Sequence, residues 1–318
     1  MITEQQFSDA AEQLRRGNLV AFPTETVYGL AANALDSVAV AKIFELKGRP
    51  TFDPLIVHVA HRQDLLDLVR EVPRPIERLI DRFWPGPLSV VLPRRTIVPD
   101  LVTSGLPSVA VRCPSHPVAS RLITEAGVPL AAPSANRFGR ISPTTAEHVR
   151  EQFPRDLPNI LDGGPCEVGV ESTVVGFDGT SVILYRPGGI PLEAIQDEVG
   201  KVKVAGTDDQ TPSSPGQLTQ HYAPRTPLTI SAHYGPIQNE QRVGLLALAQ
   251  SAPPDKPSTF TAIEYLSKDG CLREAAANLF AAMRRLDEKN LDLIVATPIP
   301  EHDLGFAIMD RLRRASAR

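Results

Sequence analysis

Apolar positions along the chain keep two different spacings, and the places where one gives way to the other sketch the fold. Phe7, Ala11 and Leu14 repeat at helical spacing up to Gly17, and Val40, Ile43, Phe44 and Leu46 do so behind Asp36, which is suited to capping a helix start. Residues 62–69, 75–84 and 116–127 read as further helices, and another begins near Leu192. Short apolar runs at 19–22, 55–60, 88–92, 108–113, 128–132, 171–177 and 181–186 read as strands, with one more ending near Val204. Asp178-Gly179 is suited to a hairpin turn between two of them. Residues 206–227 break the pattern with Pro, Ser, Thr and Gly. Beyond them, strand-like runs at 243–249, 260–266 and 291–296 alternate with helical stretches at 272–286 and 302–317.

This order predicts an α/β protein of two domains: a twisted, open α/β sheet domain over residues 1–205, a linker or lid over 206–227, and a smaller parallel α/β domain over 228–318. At 318 residues, 42% hydrophobic and 22% charged, the chain can bury two cores. Its net charge of -4 argues against a broad basic surface for gripping RNA. Cys113, Cys166 and Cys271 are odd in number and far apart, so neither a disulfide framework nor a cysteine zinc site is expected. The start lacks a basic and apolar leader, and no run approaches the roughly 18 apolar residues that span a bilayer, so a cytoplasmic protein with no membrane partner is expected.

The chemistry concentrates in residues 22–59. Pro23 stops the first strand, which puts Thr24, Glu25, Thr26 and Tyr28 on the loop that leaves it, where open α/β sheets bind ligands. The helix after Asp36 runs out at Lys47-Gly48-Arg49-Pro50, so Lys47 and Arg49 are expected on a loop. A compact ammonium beside a planar guanidinium suits separate polyphosphate oxygens, although cations also simply favour helix C-termini. Arg112 lies within an apolar strand and needs an anionic partner, either a ligand carboxylate or an acidic side chain elsewhere. His58 is either a satisfied core group or part of the same site. Ser142-Pro143 reads as the N-cap and first turn of a helix whose free amides could receive phosphate. Gly188-Gly189 after Arg186 gives a turn or a close approach of backbone to ligand. The only Gly-Lys pair, Gly200-Lys201, is followed by Val202, so a P-loop is absent.

The stretch around Pro23 to Val59 resembles the YrdC-type threonylcarbamoyl-AMP synthases. Four further blocks agree in order: Ala132-Pro133-Ser134-Ala135-Asn136 with Ser142-Pro143-Thr144, Gly169-Val170-Glu171-Ser172-Thr173-Val174, Arg186-Pro187-Gly188-Gly189, and Ser214-Pro215-Gly216 with His221-Tyr222-Ala223-Pro224. The last block and the tail behind it match the long, two-domain form. The resemblance implies a YrdC-like domain followed by a Rossmann-like one, and a reaction in which L-threonine, bicarbonate and ATP give threonylcarbamoyl-AMP and pyrophosphate. Mg2+ would enter with ATP, and no tightly bound cofactor is expected. The product would pass to a tRNA threonylcarbamoyl transferase, so tRNA is reached only indirectly.

By matching position, the resemblance places Thr26, His58, Arg112, Ala132 and Ser172 at threonine. It places Arg49, Asp53, Ser108, Ser134, Ser142, Arg186 and Tyr222 at ATP, with Lys47, Arg49, Ser134 and Asn136 as the catalytic set around the phosphates. Two positions depart from the pattern. Asp53 stands where Asn is expected, and Phe138 replaces a small polar residue. Two other readings stay open: a non-catalytic RNA-binding or ribosome-associated factor, against which the acidic charge counts, and a carbamoyl transferase, against which the linker and second domain count.

Overall fold

The computed structural model describes residues 2–154, 159–206, 218–232, 241–250 and 259–317. Ser214-Pro215-Gly216, the first part of the linker motif, lies outside them. The chain enters through α1 (Glu4–Arg15), whose start is closed reciprocally by Thr3 and Gln6 and whose Phe7, Ala10, Ala11 and Leu14 face inward. Strands β1 (Val20–Phe22) and β2 (Gly29–Asn33) pair antiparallel, so the Thr24 to Tyr28 segment turns between two strands instead of leading to a helix. β2 is absent from the sequence reading because Gly29, Leu30, Ala31 and Ala32 are small or apolar throughout and show no alternation. Asp36 caps α2 (Ser37–Lys47) by accepting from the amides of Val38 and Ala39, and Gly48 ends it at φ 62°.

The remaining elements of the first sheet are β3 (Ile56–His58), β4 (Leu88–Pro93), β5 (Ser108–Arg112), β6 (Leu130–Ala131), β7 (Thr173–Phe177), β8 (Val182–Arg186) and β9 (Val202–Val204). Their order is β1-β2-β6-β3-β5-β4-β7-β8-β9, with parallel pairs β3/β5, β4/β7 and β8/β9 among antiparallel ones. Helices α3 (Leu65–Leu68), α4 (Arg74–Phe83), α5 (Asp100–Thr103), α6 (Pro117–Ala126), α7 (Ala146–Gln152) and α8 (Leu192–Val199) complete this part. Ile43, Val57, Leu79, Val90, Val111 and Val175 are among its buried core.

The second sheet, β10 (Leu228–Ile230), β11 (Val243–Ala249), β12 (Ala262–Ser267) and β13 (Leu293–Ala296), runs parallel throughout in the order β10-β13-β11-β12. It packs with α9 (Leu272–Asp287) and α10 (Gly305–Ser316). The core on this side does not stop at the second sheet: Val27, Ile141, Val170 and Tyr222 join Leu279, Phe280, Ile308 and Leu312 in one buried cluster. Gly169, at φ 76°, makes the fit, since a Cβ there would stand 2.4 Å from the Ala276 carbonyl oxygen on α9.

Candidate active site

One cleft crosses the first sheet, and each of the sequence blocks contributes at least one described residue to its lining. Thr24 and Thr26 come from the β1–β2 turn, Arg49 and Asp53 from the segment after α2, and His58 from β3. Arg112 ends β5, Ala132 and Ser134 follow β6, and Glu171 and Ser172 precede β7. Arg186 ends β8, and His221 and Tyr222 come from the segment before the second sheet. The expected residues Thr26, Arg49, Asp53, His58, Arg112, Ala132, Ser134, Ser172, Arg186 and Tyr222 therefore share a wall.

Lys47, Asn136, Ser108 and Ser142 are not part of that wall. Lys47 is not on a loop. It is the last residue of α2, buried, and its Nζ donates to the backbone carbonyls of Ser134 (2.6 Å) and Asn136 (2.5 Å). Burial, then the charge of Arg49, pull its ammonium well below the ordinary lysine value. Asn136 donates its Nδ2 to the carbonyls of Arg137 and Arg140, so the two residues brace the Ser134 loop from behind. Ser142 is not a helix cap either: Thr145 caps α7, accepting from the His148 amide. The reason is that the Tyr28 amide takes the Pro143 carbonyl, which holds residues 142–144 outside the helix. Ser142 instead donates to Glu171 Oε1 at 2.6 Å. Ser108 begins β5, and the β3/β5 register carried two residues past the Ile56–Ala110 pair sets it across from Pro54, which does line the cleft.

The charged groups fall into two sets. In the first, Arg112 donates from Nη1 to Thr26 Oγ1 (2.8 Å) and from Nε to the Gly86 carbonyl (3.2 Å), and its Nη2 stands 2.7 Å from Glu25 Oε1. Of the two partners the sequence left open for Arg112, an acidic side chain is present. That approach is off the hydrogen-bonding direction, and neither Glu25 oxygen has a protein hydrogen-bond partner. Burial works against the charge on Glu25, but Arg112 holds its carboxyl below the ordinary range. His58, edge-on to Phe22, is pushed down to about 3 by burial and by Arg112, so its ring is neutral at pH 7.

In the second set, Arg49 pairs with Asp53 at 2.8 Å and donates to the carbonyls of Asp53 and Pro54. Asp53, the acid that stands where Asn is expected, thus meets a guanidinium. Burial nonetheless raises its carboxyl above the ordinary value, and its Oδ1 has no protein partner. Arg186 donates from Nε and Nη2 to the Ser172 carbonyl and from Nη2 to Ser172 Oγ (3.1 Å). Ser172 in turn shares a hydrogen with Ser89, whose strand register places it beside Arg112, so it links the two sets. Gly188 lets this turn close, because a Cβ there would stand 2.3 Å from the Glu171 carbonyl oxygen. Tyr222, buried at φ 64°, stacks on Phe280 of α9 with centroids 5.5 Å apart.

Three partners escaped sequence reasoning. Glu25 was seen but given no role, because its pairing with Arg112 spans 87 positions of chain. Glu171 stood in a recognised block without a function. Arg311 was missed although it had a signal: it falls in the stripe Leu304, Ala307, Ile308, Leu312 and Ala315 of α10, where every other position is apolar.

What the described wall offers a ligand is fixed charge, hydroxyls and backbone, which places the chain among α/β enzymes that bind and activate anionic substrates. The Sua5–YciO–YrdC family model, described as telomere recombination, matches residues 12–188, and the threonylcarbamoyl-AMP synthase C-terminal domain model matches residues 190–317. The chain belongs to the threonylcarbamoyl-AMP synthase family, in its two-domain form. It is 43% identical over 325 residues to the threonylcarbamoyl-AMP synthase of Pyrococcus abyssi, covering 99% of this chain and 95% of that one. Identity to the Bacillus subtilis threonylcarbamoyl-AMP synthase is 43% over 328 residues, with 98% and 93% covered. The crystal structure of P. abyssi Sua5 complexed with L-threonine matches with a TM-score of 0.90 at 41% identity, over 99% of this chain and 95% of that one. E. coli YciO, at 21% identity and a TM-score of 0.53 over 59% of this chain and 91% of that one, shares the fold of the first domain.

Proposed function

We propose that this cleft carries out the family's synthesis of threonylcarbamoyl-AMP, taking L-threonine at its Arg112 end and ATP at its Arg49–Arg186 end. The observation that carries the reading is the convergence of three buried arginines, Arg49, Arg112 and Arg186, on one cleft in two separate electrostatic sets. A 41%-identical structure that holds L-threonine supports it. Arg112 meets the amino-acid carboxylate, with Thr26 and Ser172 at its polar groups and Ala132 against its side chain. Neutral His58 adds no positive charge that would repel the amine. The amine captures carbon from bicarbonate with loss of water, and the carbamate oxygen attacks the α-phosphorus of ATP, releasing pyrophosphate.

Arg49 and Arg186 hold phosphate oxygens, Ser134 contributes from a loop that Lys47 and Asn136 brace, and Tyr222 closes the nucleotide end. Mg2+ would enter with ATP and would supply positive charge to its phosphates. With no nucleophile supplied by the protein in the scheme, positioning and charge stabilisation carry the rate. The product then goes to a tRNA threonylcarbamoyl transferase. The test is to incubate the purified protein with ATP, threonine and labelled bicarbonate. A labelled adenylate and pyrophosphate that require both threonine and bicarbonate are expected; equal pyrophosphate release without them would contradict the reading.

A further inference from the structure

The second domain backs the cleft wall with several side chains, Phe280 against Tyr222 among them, and one of them is a guanidinium. Arg311, on the α10 face that meets the first domain, is fully buried, an unusual place for a guanidinium. Its Nε donates to Glu171 Oε2 at 2.8 Å and its Nη2 to the Pro187 carbonyl at 2.9 Å. Asp310 sits at Nη1 and shares itself with Arg314, and the guanidinium carbon lies 5.1 Å from the centre of the Tyr222 ring. Two of these contacts are with residues that line the cleft, Glu171 and Tyr222, and Pro187 directly follows Arg186, which also lines it.

Glu171 is the reason such a residue is needed. Its carboxyl faces two cations, Arg311 and Arg186, and a hydroxyl, Ser142. Burial opposes its charge, yet Arg311, Arg186 and the Ser142 hydrogen bond bring it down to about 2, so it is ionised at pH 7. An ionised carboxylate in a buried wall takes the nearest guanidinium that is not already taken. With Arg311 in place that guanidinium comes from α10, and Arg186 is left hydrogen-bonded to the neutral Ser172 with its charge turned to the cleft.

We infer that Arg311 is a positioning residue for the nucleotide end of the cleft, and that a role of the second domain is to neutralise Glu171 so that Arg186 stays available to an anionic ligand. The inference rests on ATP binding at the Arg49–Arg186 end. It makes the chemistry of the first domain depend on a domain that contributes no wall residue from its own sheet or helices. The same guanidinium also fixes Tyr222 from behind while Phe280 stacks on it, so the wall and its aromatic cover are set together.

The test compares Arg311→Met with the double variant Arg311→Met, Glu171→Gln in the full chain, reading the KM for ATP, the KM for threonine and the unfolding temperature. Glutamine keeps an oxygen for Ser142 but removes the charge. The single variant is expected to raise the ATP KM by about tenfold or more, the scale of one displaced charge contact, while the threonine KM moves by less than about twofold. The double variant is expected to restore most of the ATP KM. If Arg311→Met does not fold, Arg311→Gln carries the test, since an amide still offers donors to the Pro187 carbonyl but brings no charge to Glu171: a raised ATP KM reversed by Glu171→Gln is expected. An Arg311 variant that unfolds earlier but keeps the wild-type ATP KM, or one whose ATP KM is not recovered by Glu171→Gln, overturns the inference. A wild-type protein that forms no threonine-dependent adenylate would instead overturn the proposed function itself.

Discussion

Two buried arginine–carboxylate pairs face the same cleft, Arg112 with Glu25 and Arg49 with Asp53, and their carboxyls shift in opposite directions. At Glu25 burial is the largest influence, but Arg112 overcomes it and the acid stays below its ordinary range. At Asp53 burial wins over Arg49, Lys47 and Arg186, and the acid rises. A buried pair whose desolvation exceeds its attraction is one that a better anion can break. Asp53 is therefore the weaker competitor for Arg49, and on the proposed function phosphate would displace it. Glu25 is a strong competitor for Arg112, so on the proposed function an amino-acid carboxylate would bind beside it, on the side where Nη1 now meets Thr26. Equal burial and similar distances hide two different working states.

The largest effect should come from breaking the stronger pair. Arg112→Met strands the Glu25 charge in a buried site, and a loss of about 3 to 5 kcal/mol in unfolding free energy is expected, together with loss of threonine-dependent turnover. Adding Glu25→Gln should recover the stability and not the turnover. Denaturant unfolding of the two variants checks this, and a single variant as stable as the wild type would mean that Glu25 does not depend on Arg112. Next in size is Lys47→Ala, which leaves the Ser134 and Asn136 carbonyls without their donor. About 1 to 3 kcal/mol of stability should go. The ATP KM should rise with it as the Ser134 loop loosens.

Asp53→Asn tests the weaker pair. Removing the charge that competes for Arg49 should lower the ATP KM a few-fold and leave the threonine KM unchanged; a raised ATP KM would show that Asp53 helps nucleotide binding, for instance through Mg2+. A further effect is in pH. His58 and His221 are pushed down to about 3 and His148 to about 4, each chiefly by burial, so the unfolded chain protonates first as pH falls below the ordinary histidine value. Stability is fully present above that value and is lost toward pH 4, at up to roughly 1.4 kcal/mol per pH unit for each histidine. Glu171 acts in the same direction below the ordinary glutamate range, while Asp53, raised by burial, works against the trend. His148→Gln, outside the cleft wall, should flatten the fall in unfolding temperature between neutral and mildly acidic pH without altering either KM.

Local pattern carried much of this molecule. The strand Val243–Ala249 and the helices behind Asp36 and from Leu272 follow from apolar spacing alone, and ten of the residues singled out from motifs meet in one cleft. What escaped depends on partners far away in the chain. Gly48 directly after it points to Lys47 on a loop, yet α2 runs one residue further and points its ammonium at two carbonyls of a distant loop. Ser142 and Thr145 are both competent caps, and only the bond from the Tyr28 amide to Pro143 decides between them. For Arg112 the sequence posed the choice between ligand and acid without being able to supply Glu25. Arg311 reads as an amphipathic helix position until Glu171 is placed opposite it.

The division of the cleft into an amino-acid end and a nucleotide end is tested most directly by steady-state kinetics of Arg112→Lys and Arg49→Lys, each keeping the charge and losing the planar fork. The account predicts a crossed pattern, with the threonine KM raised about tenfold or more only in Arg112→Lys and the ATP KM raised on that scale only in Arg49→Lys. Both constants rising together in either variant would contradict it.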